Sequence, residues 1–95
     1  MSSMETKQLR NEAGQLLGEI ELRNGVPHGN TRHYDTDGEL VLESHYVDGV
    51  LHGKYQSWWS NGKPKELGEY ANGERVGRYR WFDQSGVLRQ EHSYE

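Results

Sequence analysis

The sequence contains no cysteine and is poor in aliphatic residues. Without cysteine the chain can form no disulfide, thiolate metal site or thiol nucleophile. Hydrophobic residues make up only 32% of the chain, which is low for a packed globular core. Its longest apolar runs are two or three residues, so the sequence predicts neither a transmembrane helix nor a secretory signal segment.

The chain also lacks a strongly basic region. Residues 1–50 carry nine acids against four bases, and residues 51–95 carry six acids against seven bases. Neither half offers the basic patch that a phosphate backbone requires, so nucleic-acid binding is not expected. The acidic first half favours a basic protein partner instead.

Glycines and aromatic residues are plentiful, and they recur every 24 residues. A fixed period of this kind is the signature of a repeat architecture, and the regular aromatics argue against the competing interpretation, disorder. The recurring positions are Asn24-Gly25, Asp48-Gly49 and Asn72-Gly73; Gly29, Gly53 and Gly77; Gly14, Gly38, Gly62 and Gly86; Tyr34, Trp58 and Phe82; and Tyr46, Tyr70 and Tyr94.

Each unit has two short segments rich in Tyr, Trp, Val and Leu, which suit β-strands, and two glycine-marked turns. One turn, such as Asn61-Gly62, closes a hairpin; the other, from Asn-Gly to the next glycine, is expected to be longer and to join hairpins. The predicted strands lie near 5–10, 15–23, 30–35, 39–47, 54–59, 63–71, 78–83 and 87–94. Residues 1–6 are expected to be a loose end.

These features predict an all-β fold, in which tandem 24-residue hairpins form one elongated, twisted, single-layer antiparallel sheet. The whole chain, 1–95, forms a single repeat domain. It comprises a half to one degenerate repeat at 5–23 and full repeats at 24–47, 48–71 and 72–95.

Alternation along strands assigns side chains to two faces. The expected core face carries the recurring apolar and aromatic positions: Tyr34, Trp58, Phe82, Leu40, Leu42, Tyr46, Leu16, Ile20, Leu22, Pro64, Gly68, Tyr70, Leu88, His92 and Tyr94. The opposite, more polar face is expected to carry Tyr55, Trp59, Tyr79 and Trp81, which break the three-fold pattern. These four residues either cover the second side of a thin sheet or contact a partner.

The pattern resembles the MORN repeat, in the shorter variant found in bacterial proteins. It reads as Tyr46-Val47-Asp48-Gly49, then Gly53, Trp58, Gly62 and Tyr70, with Glu43 and Glu91 at the acidic position three residues before a tyrosine. Leu67 and Pro64 depart from it. The resemblance implies a hairpin repeat, and small bacterial chains of this kind are similar to YwqK-type antitoxins, which are proposed partners of toxins.

Other signals are weaker. His28 and His52 occupy equivalent turn positions, but a metal site would need further ligands, so we predict no metal site and no cofactor. A single-layer sheet offers little cleft to tune a carboxylate pair, so no catalytic residues are predicted and the chain is not expected to be an enzyme. The third unit is locally basic through Arg75, Arg78, Arg80 and Arg89, which form either a solvated face or a contact for anionic headgroups.

The predicted function is that of a cytoplasmic antitoxin or immunity protein that covers the active surface of a basic toxin or effector. Its predicted partner-binding residues are the aromatic anchors Tyr55, Trp59, Tyr79 and Trp81 and the acidic residues Asp35, Asp37, Glu39 and Glu43. The alternative is a self-associating scaffold or membrane-surface adaptor, although membrane contact is not expected. The exposed edges also permit a homodimer through the terminal hairpins.

Overall fold

The protein folds into one antiparallel β-sheet of nine strands, seen here in a computed structural model that describes residues 4–94. The strands are β1 (Met4–Arg10), β2 (Leu16–Arg23), β3 (Val26–Tyr34), β4 (Leu40–Val47), β5 (Val50–Leu51), β6 (Gly53–Trp58), β7 (Pro64–Ala71), β8 (Glu74–Phe82) and β9 (Leu88–Tyr94). Their spatial order follows the chain, except that the two-residue β5 pairs with β4 beside the main path. With principal extents of 43 × 37 × 13 Å, the sheet is a single layer.

The predicted all-β repeat fold is therefore confirmed, with corrections at the strand ends. β3 and β8 begin four residues earlier than expected, at Val26 and Glu74. Residues 4–6, expected to be a loose end, belong to β1, and residues 1–3 lie outside the described residues.

The Asn-Gly turns that join one hairpin to the next are two residues long, not longer as expected. Asn24 and Gly25 both have positive φ, at 53° and 80°, and the flanking Arg23 and Val26 pair directly. Positive φ at both central residues defines the tight turn that matches the twist of a hairpin, and Asn-Gly adopts it readily. The following Gly29 lies inside β3, where its φ of 112° accompanies a break in the ladder.

The other four turns span five residues each: 11–15, 35–39, 59–63 and 83–87. In the second, the Asp35 N–H donates to the Glu39 carbonyl at 2.9 Å, and the Gly38 N–H donates back to the Asp35 carbonyl at 3.0 Å. The Asp35 carboxylate also accepts the N–H groups of Asp37 and Glu39. Asn11 and Asp83 accept equivalent bonds in their turns, so a side-chain acceptor at the first position closes three of the four.

Each five-residue turn is followed by a shift in strand register. The skipped residues are Leu17, Val41, Lys65 and Arg89, again 24 apart. Such a bulge inserts one residue into one strand only, so it reverses the relation between the two strands of the hairpin. As a result, Leu42 lies opposite His33 and Gly68 lies opposite Tyr55. Without the bulge, each would lie opposite the preceding residue of the neighbouring strand, whose side chain points to the other face.

The predicted distribution of side chains between the faces is wrong for this reason. Tyr55 and Tyr79 pair with Gly68 and His92, so they share a face with the apolar residues of the second strands. We call this side the aromatic face. Its centre holds the fully buried Tyr79 (0% exposed) and the buried Thr31, Ser44 and Ser57 (5%, 3% and 8% exposed).

The opposite side, which we call the charged face, carries a row of paired residues across the sheet that are all polar except Leu67: Gln8, Glu19, Arg32, Glu43, Gln56, Leu67, Arg80 and Glu91. Arg32 Nε lies 2.8 Å from Glu43, and Arg80 Nε lies 2.9 Å from Glu91. Trp58, which was expected in the core, follows Ser57 by one residue and so lies on this side, half-buried. Tyr34 is also half-buried there, and its hydroxyl donates to Glu19 at 3.1 Å.

Candidate functional site

The main feature of the aromatic face is a cluster of rings around Tyr79. Its ring centroid lies 4.7 Å from Trp81, 6.4 Å from Tyr55, 6.2 Å from Tyr70 and 6.3 Å from Tyr94. The contacts with Tyr70 and Tyr94 are edge-to-face, at 85° and 84°, which is a favourable arrangement of ring quadrupoles. We call these five residues the aromatic cluster.

Tyr79 can lie flat against the sheet because Gly68 lies beneath it. A Cβ built on Gly68 would overlap the Cδ2 and Cε2 atoms of the Tyr79 ring. The Tyr79 hydroxyl donates to Glu66 Oε2 at 2.9 Å, which satisfies the one polar atom of the buried side chain. Burial, and then this hydrogen bond, raise the pKa of Tyr79 above its ordinary value of 10.0, so the hydroxyl keeps its proton at neutral pH.

Arg75 covers the cluster from the solvent side. Its guanidinium carbon lies 4.6 Å from the ring centroid of Tyr79, 5.6 Å from Trp81 and 6.0 Å from Tyr94. Nε donates to the Tyr70 hydroxyl at 3.3 Å and Nη1 to the Tyr94 hydroxyl at 3.4 Å, and these bonds raise the pKa of Arg75. Among residues 4–94, no carboxylate lies within ion-pair distance of Arg75.

The structure brings together three of the four predicted aromatic anchors: Tyr55, Tyr79 and Trp81. Tyr79 is buried, whereas Tyr55 and Trp81 are half-buried.

Trp59, the fourth anchor, lies apart from the cluster, in the turn 59–63. Its indole Nε1 donates to the Phe82 carbonyl at 3.3 Å, and the Lys65 ammonium lies 4.7 Å from its ring. Trp59 takes the place that Asn11, Asp35 and Asp83 hold in the other turns, and Asn61 Oδ1 supplies the missing acceptor, to the Lys63 N–H at 3.0 Å.

The predicted acidic residues do not form one surface with the cluster. Asp35 holds its own turn together, while Asp37 and Glu39 are exposed in that turn. Glu43 lies on the charged face in its ion pair with Arg32. Their role in binding a partner stays a prediction.

Sequence reasoning missed the contribution of Tyr70, Tyr94, Arg75 and Glu66 to the site. Tyr70 and Tyr94 carried a signal, the 24-residue recurrence with Tyr46, but the wrong parity separated them from Tyr79. Arg75 has no such signal because its equivalents are Pro27 and Leu51.

The remaining candidate groups have structural roles. His28 Nδ1 accepts the Asp48 N–H at 3.1 Å, and His52 Nδ1 accepts the Asn72 N–H at 3.3 Å. His28, in β3, and His52, between β5 and β6, are thereby each bonded to the first residue of the next two-residue turn. Within the described residues, no group of three or more His, Asp or Glu side chains could hold a metal ion.

The positive charge of the third unit, which is locally basic in sequence, is partly offset by its own carboxylates. Arg78 and Arg80 lie 3.9 and 2.9 Å from Glu91, and Arg89 lies 2.7 Å from Asp83. Hydrogen bonds from Ser85, Val87 and Arg89 lower the pKa of Asp83.

Comparison with known proteins identifies the repeat. The family described as MORN repeat variant matches residues 27–48, 51–72 and 75–95, about two thirds of the chain. No curated protein and no solved structure matches the chain. Residues 4–94 contain no helix long and apolar enough to cross a membrane. The matched repeats support a module that binds proteins or membranes. Together with the hairpin sheet, the three tandem matches show that the chain belongs to the MORN repeat variant family.

Proposed function

We propose that this chain is a protein-binding module that neutralises a partner, in the manner of an antitoxin or immunity protein, by covering the partner's active surface. The observation that carries the proposal is the aromatic cluster on an uncovered side of a single-layer sheet. Half-buried Trp and Tyr side chains of this kind dominate the binding energy of protein interfaces.

The shape of the site favours a protein surface over a small ligand. A sheet 13 Å thick has no second layer to wall off a cavity around the cluster. A broad, flat surface can instead cover a comparable area of another protein. Tyr55, Tyr70, Trp81 and Tyr94 would contact the partner, and the buried Tyr79 would hold them in place.

The acidic residues would contribute at longer range. The chain carries a net charge of −4, and Asp37 and Glu39 are exposed on the turn 35–39. Charges outside the contact area act mainly on the rate of association, so they would steer a basic partner toward the sheet.

Expression of the partner with variants of this chain tests the proposal. A tagged chain captures interacting proteins from its native host, and each captured protein is expressed alone to find one that stops growth. We expect the wild-type chain to restore growth and the double variant Tyr55→Ala, Trp81→Ala to fail. Trp58→Ala is the matched control, since Trp58 is also half-buried but lies on the charged face.

Circular dichroism and thermal unfolding establish that each variant is folded before growth is scored. If the double variant restores growth as well as the wild type does, the aromatic cluster is not needed to neutralise the partner. Failure of Trp58→Ala alone would move the binding surface to the charged face.

The alternative function, a scaffold or membrane-surface adaptor, has less support. The arginines that would attract anionic lipid are paired with Glu91 and Asp83, apart from Arg75. We therefore expect no salt-sensitive sedimentation with vesicles containing anionic lipid. Binding that disappears as salt is raised would favour the adaptor instead.

A further inference from the structure

We propose that Arg75 is a preset anchor for a carboxylate side chain of the protein partner. The proposal rests on the proposed function in that it names the chemistry recognised at the same site. The site itself can be tested without the partner, because a small carboxylate can probe it.

The guanidinium of Arg75 is held by the rings beneath it and by two hydrogen bonds. Its carbon lies 4.6 Å from the Tyr79 centroid and 5.6 Å from that of Trp81, and Tyr70 and Tyr94 each accept one of its N–H groups. Stacking and hydrogen bonding restrict a side chain that otherwise has much rotamer freedom. Little further ordering is then needed when an anion binds.

Arg75 also keeps N–H donors that the described residues do not use. A guanidinium has five N–H donors, and the structure uses two of those on Arg75, one at Nε and one at Nη1. Three donors remain on an exposed side chain, and two parallel N–H groups match the two oxygens of a carboxylate.

The positive charge of Arg75 favours an anion as the ligand. Five other arginines lie within 4.0 Å of a carboxylate: Arg23, Arg32, Arg78, Arg80 and Arg89. Arg75 has no such partner among residues 4–94. A carboxylate from outside would supply the missing charge. A cation from outside would first have to displace Arg75 from the rings. Glu66 already places a negative charge against Tyr79, which disfavours a doubly charged phosphate relative to a carboxylate.

The residues of this site occur together in only one of the three full repeats. The positions equivalent to Arg75 are Pro27 and Leu51, neither of which has a side-chain donor, and those equivalent to Trp81 are His33 and Ser57. Arg75 and the rings of Tyr79 and Trp81 therefore occur together only in the third unit.

Titration with phenylacetate, monitored by NMR, tests the proposal on the intact chain. The probe joins a carboxylate to a ring that can lie against Trp81. We expect saturable shifts of the Arg75 Nε–H and Trp81 indole resonances. The neutral analogue phenylacetamide should bind about tenfold more weakly, since hydrogen bonds to charged groups are the stronger ones.

Variants of Arg75 distinguish recognition of the carboxylate by the guanidinium from non-specific binding of the phenyl group to the aromatic rings. Arg75→Gln should abolish the preference for phenylacetate over phenylacetamide. Arg75→Lys, which keeps the charge without the planar fork, should reduce that preference. Arg78→Gln is the control, because Arg78 is a neighbouring arginine already near Glu91, and it should bind phenylacetate as the wild type does.

The proposal is overturned if phenylacetate gives no saturable shift, if benzylamine binds as tightly as phenylacetate, or if folded Arg75→Gln keeps the wild-type preference. Tighter binding of benzylamine would indicate instead that a basic side chain of the partner displaces Arg75. None of these outcomes depends on growth restoration, so the proposed function can fail while the carboxylate site stands, and the reverse.

Discussion

The N-terminal and C-terminal halves of the sheet have the same backbone arrangement but carry different side chains on the aromatic face. At the centre of the aromatic face, the first unit places Thr31 where the second and third place Tyr55 and Tyr79. The same Asn-Gly turns, five-residue turns and bulges recur in both halves. The aromatic cluster is therefore not required to form the hairpins, which makes it available for another role.

Hydrogen bonds between neighbouring five-residue turns link adjacent repeats in both halves of the sheet, and they involve no residue of the aromatic cluster. Gln15 Nε2 donates to the Thr36 carbonyl at 2.8 Å, linking the first and second five-residue turns. Asn61 and Lys63 donate to the Gln84 and Ser85 carbonyls, linking the third and fourth. The stability of a repeat sheet is expected to come from such contacts between adjacent units as well as from each hairpin.

The largest expected difference between the halves concerns Tyr79. Tyr79→Ala removes a fully buried ring and should lower the free energy of unfolding by about 3–5 kcal/mol. Thr31→Ala, at the equivalent position, should cost about 1 kcal/mol. Urea unfolding followed by circular dichroism measures both, and equal costs would show that the cluster does not stabilise the C-terminal half.

A smaller effect is expected where Tyr79 meets the backbone. Gly68→Ala introduces a Cβ that overlaps the Tyr79 ring and should cost about 1–3 kcal/mol. Ser44→Ala, 24 residues earlier, already has room for a Cβ and should be milder. In a Tyr79→Thr background, the cost of Gly68→Ala should largely disappear. If the two substitutions act additively in this double-mutant cycle, the close approach of ring and glycine is not the cause.

The turns give the next comparison. Asn61→Ala removes the acceptor for the Lys63 N–H and the donor to Gln84, and should lower the free energy of unfolding by about 1 kcal/mol. Asp37→Ala, at the equivalent position, should have no measurable effect, because there the turn is closed by Asp35. Thermal unfolding of the two variants measures the contrast, and an Asp37→Ala loss as large as that of Asn61→Ala would contradict it.

The smallest effect is a difference in pH dependence between the first and last five-residue turns. The pKa of Asp83 is lowered in the folded state, so its contribution to stability is complete above the ordinary value of 3.8 and is lost as pH falls through the folded pKa. Asp83→Asn should therefore lower the urea midpoint at pH 7 and flatten its fall toward pH 2.

Asn11 is the control for that titration, because it accepts the same backbone bonds without an ionisable group. Asn11→Ala should lower the midpoint equally at pH 7 and pH 2. Parallel curves for Asp83→Asn and the wild type would show that Asp83 does not contribute to the acid sensitivity.

The fold could be predicted because its determinants repeat in the sequence. Asn24-Gly25 and its equivalents fix the turns through residue types that tolerate positive φ, and tyrosines at a constant spacing mark the strands. The bulge could not be predicted in this way. Its residues, Leu17, Val41, Lys65 and Arg89, share no chemical character, so the geometry recurs without a signal in side-chain type.

The candidate site was only partly predictable for the same reason. The departures from the repeat identified Tyr55, Tyr79 and Trp81 as a group, and the structure brings them together. An undetected bulge placed them on the wrong side of the sheet, away from Tyr70 and Tyr94. Recognising Arg75 required knowing which rings lie beneath it, and that depends on the register.

The order of the strands also has a consequence for how the chain folds. Every extensive pairing joins strands that follow one another, with only the short β5 intervening between β4 and β6. Contacts between near sequence neighbours need little loop closure, so this β-protein is expected to fold faster than a sandwich of similar size. Synthesis proceeds from the N-terminus, and β1 to β4 can pair as soon as they leave the ribosome. The N-terminal half, β1 to β4, which contains the buried Thr31 and Ser44, can therefore form before Tyr79 has been synthesised. Its last strand then offers an edge on which the later strands can pair.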